Sequence, residues 1–197
     1  VTRLTGLSFL IVSALAFAGL SSMQPGRAEA TIVKPLSVAD MAKRADLVVH
    51  GTVLRQTASW NPEHTRIYTV TEIQVTEALK GVAAPGSIVP VRQLGGVADG
   101  IVQSIAGNAR FTPAEELVVF LDKDETLPWH YVIGMAQGKF SVTPGGTPSV
   151  AQDLSDLAFI RPDAAGAAQA VGPAATPAGP APLEAFKARV RAALAAP

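Results

Sequence analysis

Between Leu47 and Ala58 the chain reads LVVHGTVLRQTA, with Leu47, Val49, Gly51 and Val53 on one face and Val48, His50, Thr52 and Leu54 on the other. The β-branched content favours a strand. Apolar residues on both faces predict cover on each side for part of its length. Before it, Ser37 predicts the cap of a brief helix, Val38 to Arg44, with Asp40 in its first turn. After the Asn61-Pro62 turn, TRIYTVTEIQVTEALKG alternates Ile67, Thr69, Thr71, Ile73 and Val75 with Tyr68, Val70, Glu72, Gln74 and Thr76. This predicts a long strand with a bulge. Pro85-Gly86 turns the chain into SIVPVRQL, where Pro90 marks an edge or a bulge.

Gly95 to Pro113 is a glycine-rich connection, long enough to expect a functional role. Ile101, Val102 and Ile105 within it predict a buried helix or strand. Strands are then expected at Glu116–Leu121 and at Trp129–Gln137. A hairpin, KFSVTP-GG-TPSVAQ, follows with Gly145-Gly146 at its tip. From Pro162 to Pro182, 17 of 21 residues are Ala, Pro or Gly, which reads as a flexible, semi-extended linker. Beyond it, Leu183, Phe186, Val190 and Leu194 form one stripe of a helix. A helix this short is marginal alone, so it needs a surface: its own barrel, a partner protein or a membrane. Docking on its own barrel is the leading expectation. Short strands with Gly/Pro turns favour a small barrel or sandwich.

The N-terminus carries an address. Arg3 precedes an uncharged, apolar run from Leu4 to Leu20, and Ala28-Glu29-Ala30 has small residues at the positions a signal peptidase reads. Cleavage after Ala30 is expected in preference to a transmembrane anchor, because the run is at the short limit for spanning a ~30 Å core. Valine at position 1 reads as a GTG start, and 34 alanines suit a GC-rich bacterial genome. The expected location is secreted or periplasmic, by a Sec-type route. The organisation is then a signal peptide (1–30), a β-barrel domain (31–161), an Ala/Pro/Gly-rich linker (162–182) and a C-terminal amphipathic helix (183–197).

Composition narrows the chemistry. With no cysteine among 197 residues there is no disulfide framework, thiol nucleophile or Cys-based zinc site. The 16 basic and 16 acidic residues balance, which argues against a nucleic-acid binder. Removal of Arg3, Arg27 and Glu29 with the signal leaves 14 basic and 15 acidic residues. The histidines, His50, His64 and His130, have no metal-binding spacing, and Asp122, Asp124 and Glu125 lack the pattern of a calcium loop. Ser59, Ser87, Ser104 and Ser141 sit in no nucleophile motif. Glu115 and Glu116 are adjacent in a strand and so face opposite ways. Gly95, Gly96, Gly100 and Gly107 match no phosphate-binding fingerprint. No cofactor and no catalytic residue are expected.

The motifs ADLVVHGTV, RIYTVTEIQVTEALKG and EELVVFL, with the Gly-rich stretch between the last two, resemble the netrin/TIMP-type module over residues 37 to 140. Ala45-Asp46-Leu47-Val48, Leu79-Lys80-Gly81 and Leu117-Val118-Val119 carry the likeness. Gln137-Gly138-Lys139-Phe140 is similar to a run in exported bacterial proteins of this kind. The resemblance implies a mainly β protein: a small OB-like antiparallel barrel of five or more strands, with a short N-terminal helix and a C-terminal helix after a disordered linker. Animal inhibitors of this type chelate a protease zinc through an N-terminal Cys. Here the expected first mature residue is Thr31, which does not support that mechanism.

The expected function is a non-enzymatic binding module for another exported protein, with no nucleic acid and no stable membrane anchor after cleavage. Three alternatives remain: a protease inhibitor or protease-associated module, an oligosaccharide-binding OB domain, and a metal-dependent hydrolase built on the histidines. The candidate contact surface is Trp60, His64, Gly95, Gly96, Asp99, Trp129, Lys139 and Phe140. The candidate partner-binding helix face is Leu183, Phe186, Val190 and Leu194.

Overall fold

The computed structural model describes residues 30–163, 168–171 and 180–196. The expected signal segment, with Ala28 of its cleavage site, lies outside the described residues; Ala30 is exposed. In chain order the elements are β1 (Thr31–Val33), α1 (Val38–Arg44), β2 (Leu47–Trp60), β3 (Ile67–Lys80), β4 (Ile88–Leu94), β5 (Gly96–Ala98), β6 (Ile101–Gln103), β7 (Glu116–Lys123), β8 (His130–Val132), a 3-10 turn (Met135–Gly138), β9 (Lys139–Thr143), β10 (Ser149–Ala151), β11 (Leu157–Pro162), β12 (Ala168–Val171), β13 (Ala181–Pro182) and α2 (Leu183–Ala195).

Five strands close into a barrel. β2, β3 and β4 form an antiparallel meander, and β7 pairs with the other edge of β2. β8 completes the circuit, antiparallel to β7 and parallel to β4. The neighbour order β7-β2-β3-β4-β8 therefore returns on itself, which is the strand order of an OB-type barrel. Register shifts at Val48/Val49, His50/Gly51 and Val53/Arg55 punctuate the β2–β3 ladder. Such bulges increase the local coiling that closure requires.

Alternation decides what fills the barrel. Leu47, Val49 and Val53 point inward to meet Ile73, Val75, Val89, Val91, Leu117, Val119 and Leu121. Ala109 and Phe111, from the connection before β7, join this interior. The opposite face carries a second core. Val48, Val118 and Phe120 lie there with Phe140, Val142 and Val150, under α1 and α2. Thus β2 and β7 are apolar on both faces because each face belongs to a different core.

Helix α1 starts where its cap predicts. Ser37 Oγ accepts from Asp40 N at 3.0 Å, and the Asp40 carboxylate accepts from Ser37 N at 3.2 Å, a reciprocal capping box. Helix α2 has no side-chain cap, but Leu183 N donates to Pro148 O at 2.8 Å, so the barrel side supplies one missing partner. Its stripe is seated: Leu183, Phe186 and Val190 are buried and Leu194 is half-buried. Phe186 packs against Phe140 (4.5 Å between ring centroids) and Phe120 (6.3 Å). Lys187 is also buried and pairs with Glu77 and Glu184, both at 3.1 Å, while Arg191 pairs with Glu77.

Three expectations are corrected. The strand expected at Trp129–Gln137 stops at Val132, because Gly134 and Met135 take left-handed φ values of 64° and 61°. As a result β8 and β9 share one edge of β7: β8 lies on Leu121–Lys123 and β9 on Leu117–Val119. Second, the stretch expected to be only linker contributes two short strands: β12 pairs with β11, and β13 pairs with β10. Ladder bonds need no side chains, so an Ala/Pro/Gly-rich segment can still make them. Third, the first residues of the short lead, Thr31–Val33, form β1, parallel to β11. Among the described residues no helix is long and apolar enough to cross a membrane.

Candidate functional site

The glycine-rich connection after β4 is not a loop throughout. Its first part is a hairpin, β5–β6, turning on Asp99-Gly100. Both turn residues have positive φ, 50° and 75°, as a type I′ turn requires. An Asp-Gly pair between alternating apolar residues is a strong hairpin signal, and V-A-D-G-I-V-Q carries it. Reading the segment as one glycine-rich connection passed over that signal.

The hairpin lies against the barrel. Gly96 holds φ at 136°, and a Cβ there would overlap Thr69 Oγ1 and press on Ala58 Cβ at 3.0 Å, so only glycine allows this approach. Gly95 N donates to Ile67 O at 2.7 Å, and Thr69 Oγ1 donates to Gly95 O at 2.7 Å. At the tip, Trp60 Nε1 donates to Asp99 Oδ2 at 3.1 Å. The Trp60 ring stacks on His64, centroids 5.6 Å apart and planes 19° from parallel. Five predicted contact residues, Trp60, His64, Gly95, Gly96 and Asp99, therefore meet at one end of the barrel.

This end exposes apolar surface. Val97 is 59 %, Ile101 54 % and Val102 70 % exposed. Val97 and Val102 are cross-strand partners and so share one face. β6 has no second ladder partner among the described residues. Next to a two-residue turn, Ala98 and Ile101 form the hydrogen-bonded pair. The N–H and C=O of Val102 then point off the free edge.

Beneath the hairpin lies a polar cleft of about 290 Å³. Its walls include Gln56, Gln103, Ser104, Asn108, Arg110 and Phe111. Gln103 and Asn108 pin the connection to the barrel, while Gln56 bridges β2 and β3. Gln103 Oε1 accepts from Ile67 N at 2.7 Å, Asn108 Nδ2 donates to Leu94 O at 2.7 Å, and Gln56 Nε2 donates to Thr71 Oγ1 at 3.1 Å. Arg110 pairs with Asp156, and its other terminal nitrogen lies 3.9 Å from Asp153.

Three other expected contact residues lie elsewhere. Lys139 and Phe140 are buried, not presented. β9 sits inside the sheet between β7 and β10, so Phe140 faces the α2 core while Lys139 turns the other way. There Lys139 pairs with Glu115 and donates to Ser141 Oγ at 2.7 Å. Ser and Lys at i, i+2 share a strand face, and the pair was missed in sequence because no serine motif surrounds it. Lys139 Nζ thus bridges Glu115 of the connection before β7 and Ser141 of β9. Trp129 is half-buried on another face, 5.8 Å from the Arg92 guanidinium, which itself stacks at 3.8 Å over Tyr68. The helix face Leu183, Phe186, Val190 and Leu194 is likewise turned to the chain's own core, not toward a partner.

The histidines have separate surroundings. His50 is 5 % exposed, and its Nε2 lies 2.6 Å from Glu116 Oε1. Its Nδ1 is buried without a hydrogen-bond partner among the described residues. His130 Nδ1 is 3.3 Å from Pro90 O, and burial pushes its pKa down. Among the described residues no three His, Asp or Glu side chains are grouped to hold a metal ion. Asp124 instead accepts from Thr126 N and Leu127 N, both at 2.9 Å, and from Tyr131 Oη at 2.9 Å. These bonds hold its pKa at about 2.

No family model, no curated protein and no solved structure matches this chain.

Proposed function

We propose that this chain is an exported, non-enzymatic binding module that engages another exported protein through the β5–β6 hairpin. The observation that carries this is the exposure of Val97, Ile101 and Val102 on an element otherwise held rigidly. Exposed apolar side chains clustered on one element mark interaction surfaces. A fixed hairpin loses little conformational freedom when it docks. The free β6 edge adds main-chain groups for a partner strand, with Val97 and Val102 as flanking apolar contacts. The export assignment rests on the N-terminal signal pattern and the resemblance to netrin/TIMP-type modules.

The test is crosslinking capture from envelope and secreted fractions, baited with residues 31–197 and with the same bait carrying Val97→Asp and Val102→Asp. The expected result is one exported protein captured by the first bait and lost with the second. Capture unchanged by the two substitutions overturns the hairpin as the contact. An exported metalloprotease as the captured protein narrows the reading to the protease-associated module that the resemblance implies. Thr31 supports no N-terminal chelating mechanism: it has no metal-binding thiol, and its Oγ1 is bound to Ala106 O at 2.5 Å.

A further inference from the structure

The cleft beneath the hairpin is a separate feature, and its chemistry points to a ligand of its own. Backbone groups along its rim are capped by side chains. Leu94 O is taken by Asn108, Gly95 O by Thr69, and Ile67 N by Gln103. Gln93, with its amide oriented to suit, exchanges two hydrogen bonds of 3.1 Å with the backbone of Ala109. The cleft therefore offers no strand edge for an extended peptide, which binds through main-chain ladders.

What remains is half of each pinned carboxamide. A primary amide has two donors and a two-lone-pair acceptor. Gln103 uses its oxygen and retains its NH₂. Gln56 and Asn108 each use a donor and retain the carbonyl oxygen. Ser104 adds a hydroxyl to the same wall. Together these groups offer both donors and acceptors, and the three carboxamides are each held by the bond they already make. Adjacent hydroxyls of a sugar ring, each both donor and acceptor, complement such a set. Charge agrees: Arg110 is matched by Asp156 and Asp153, so the cleft carries no free counter-ion for an anionic ligand or a zwitterion. A volume of about 290 Å³ is at the small end for ligand pockets and suits one ring.

We propose that this cleft binds a neutral, hydroxyl-rich ligand, a single sugar residue of a saccharide, through the free halves of Gln56, Gln103 and Asn108. The proposal is independent of the hairpin contact, and its test involves no partner protein.

Side-chain NH₂ groups of Gln and Asn are directly visible in ¹⁵N-correlated NMR. Titration of the full mature chain with glucose, galactose, mannose and N-acetylglucosamine should shift the NH₂ signals of Gln56, Gln103 and Asn108 for at least one sugar, with millimolar affinity. Asn108→Leu and, separately, Gln56→Leu should each weaken that sugar about tenfold, equivalent to about 1.4 kcal/mol. Two variants are used because Asn108 also braces Leu94; a folded Gln56→Leu variant that binds as tightly as wild type overturns the assignment. No shift with any of the four sugars overturns it. So do shifts confined to the Tyr68–Trp129 face, or binding of the zwitterionic dipeptide Ala-Ala in place of a sugar.

Discussion

The two ends of this sheet treat apolar surface in opposite ways. On the face under α1 and α2, Phe120, Phe140 and Phe186 bury one another, and charged residues serve to hold the cover down: Lys187 and Arg191 of α2 both reach Glu77 of β3. At the hairpin end, half-buried Gln103 and Asn108 brace the connection by hydrogen bonds while the aliphatic Val97, Ile101 and Val102 face water. Burial drives the first arrangement, each filled aliphatic or aromatic position contributing roughly 1.5–3 kcal/mol. The second is held by hydrogen bonds worth about 1 kcal/mol each. This region is weakly driven, yet it is restrained at its base by Gly95 and at its tip by Trp60.

The contrast can be broken by substitution, most forcefully in the aromatic cluster. Phe186→Ala should cost about 3–5 kcal/mol in a denaturant titration. Val97→Ala on the hairpin should change stability by less than about 0.5 kcal/mol. Comparable losses at the two sites would mean that the hairpin is part of the core after all.

Lys139→Met leaves Glu115 half-enclosed without its counter-ion. A loss of about 3 kcal/mol is expected, most of it recovered by adding Glu115→Leu. If the double variant is as unstable as the single one, shape and not charge governs that site. A smaller effect should follow from Trp60→Phe, which removes the Asp99 hydrogen bond and keeps an aromatic ring beside His64. We expect about 1 kcal/mol, seen as faster amide exchange confined to residues 96–103. The mildest concerns acid. The folded pKa of Asp124 is held at about 2, below its ordinary 3.8, by backbone N–H groups and Tyr131. The support it gives the β7–β8 turn is therefore complete above about pH 5 and is lost as pH falls toward 2. Asp124→Asn should remove that part of the acid dependence, followed by Tyr131 fluorescence or chemical shift.

Much of the barrel was legible because its signals are local. The cap at Ser37, the alternation of β3 and the two-sided apolar run of β2 each lie within a dozen residues. The seated helix was also readable, since an amphipathic 13-residue helix needs a surface. Other features depend on partners distant in sequence. Lys139 and Phe140 look like a surface pair until β7 and β10 are placed on either side of them. The β1–β11 pairing joins residues at opposite ends of the domain. The cleft is less legible still: its carboxamides come from β2, β6 and the connection before β7, and nothing in their spacing brings them together. The hairpin, by contrast, is a local signal: Asp99-Gly100 marks its turn within eight residues.

One strand, β7, has a further consequence. It gives one face to the barrel interior and the other to the helix-covered core, and its outer edge is divided between β8 and β9. Neither core can be dismantled without exposing the back of the other. Opening of the barrel and departure of α2 are thereby fused into one cooperative unit. The amides of Leu117 to Leu121 should exchange only on global unfolding, and mechanical load applied to either end of the molecule should arrive at the same five residues.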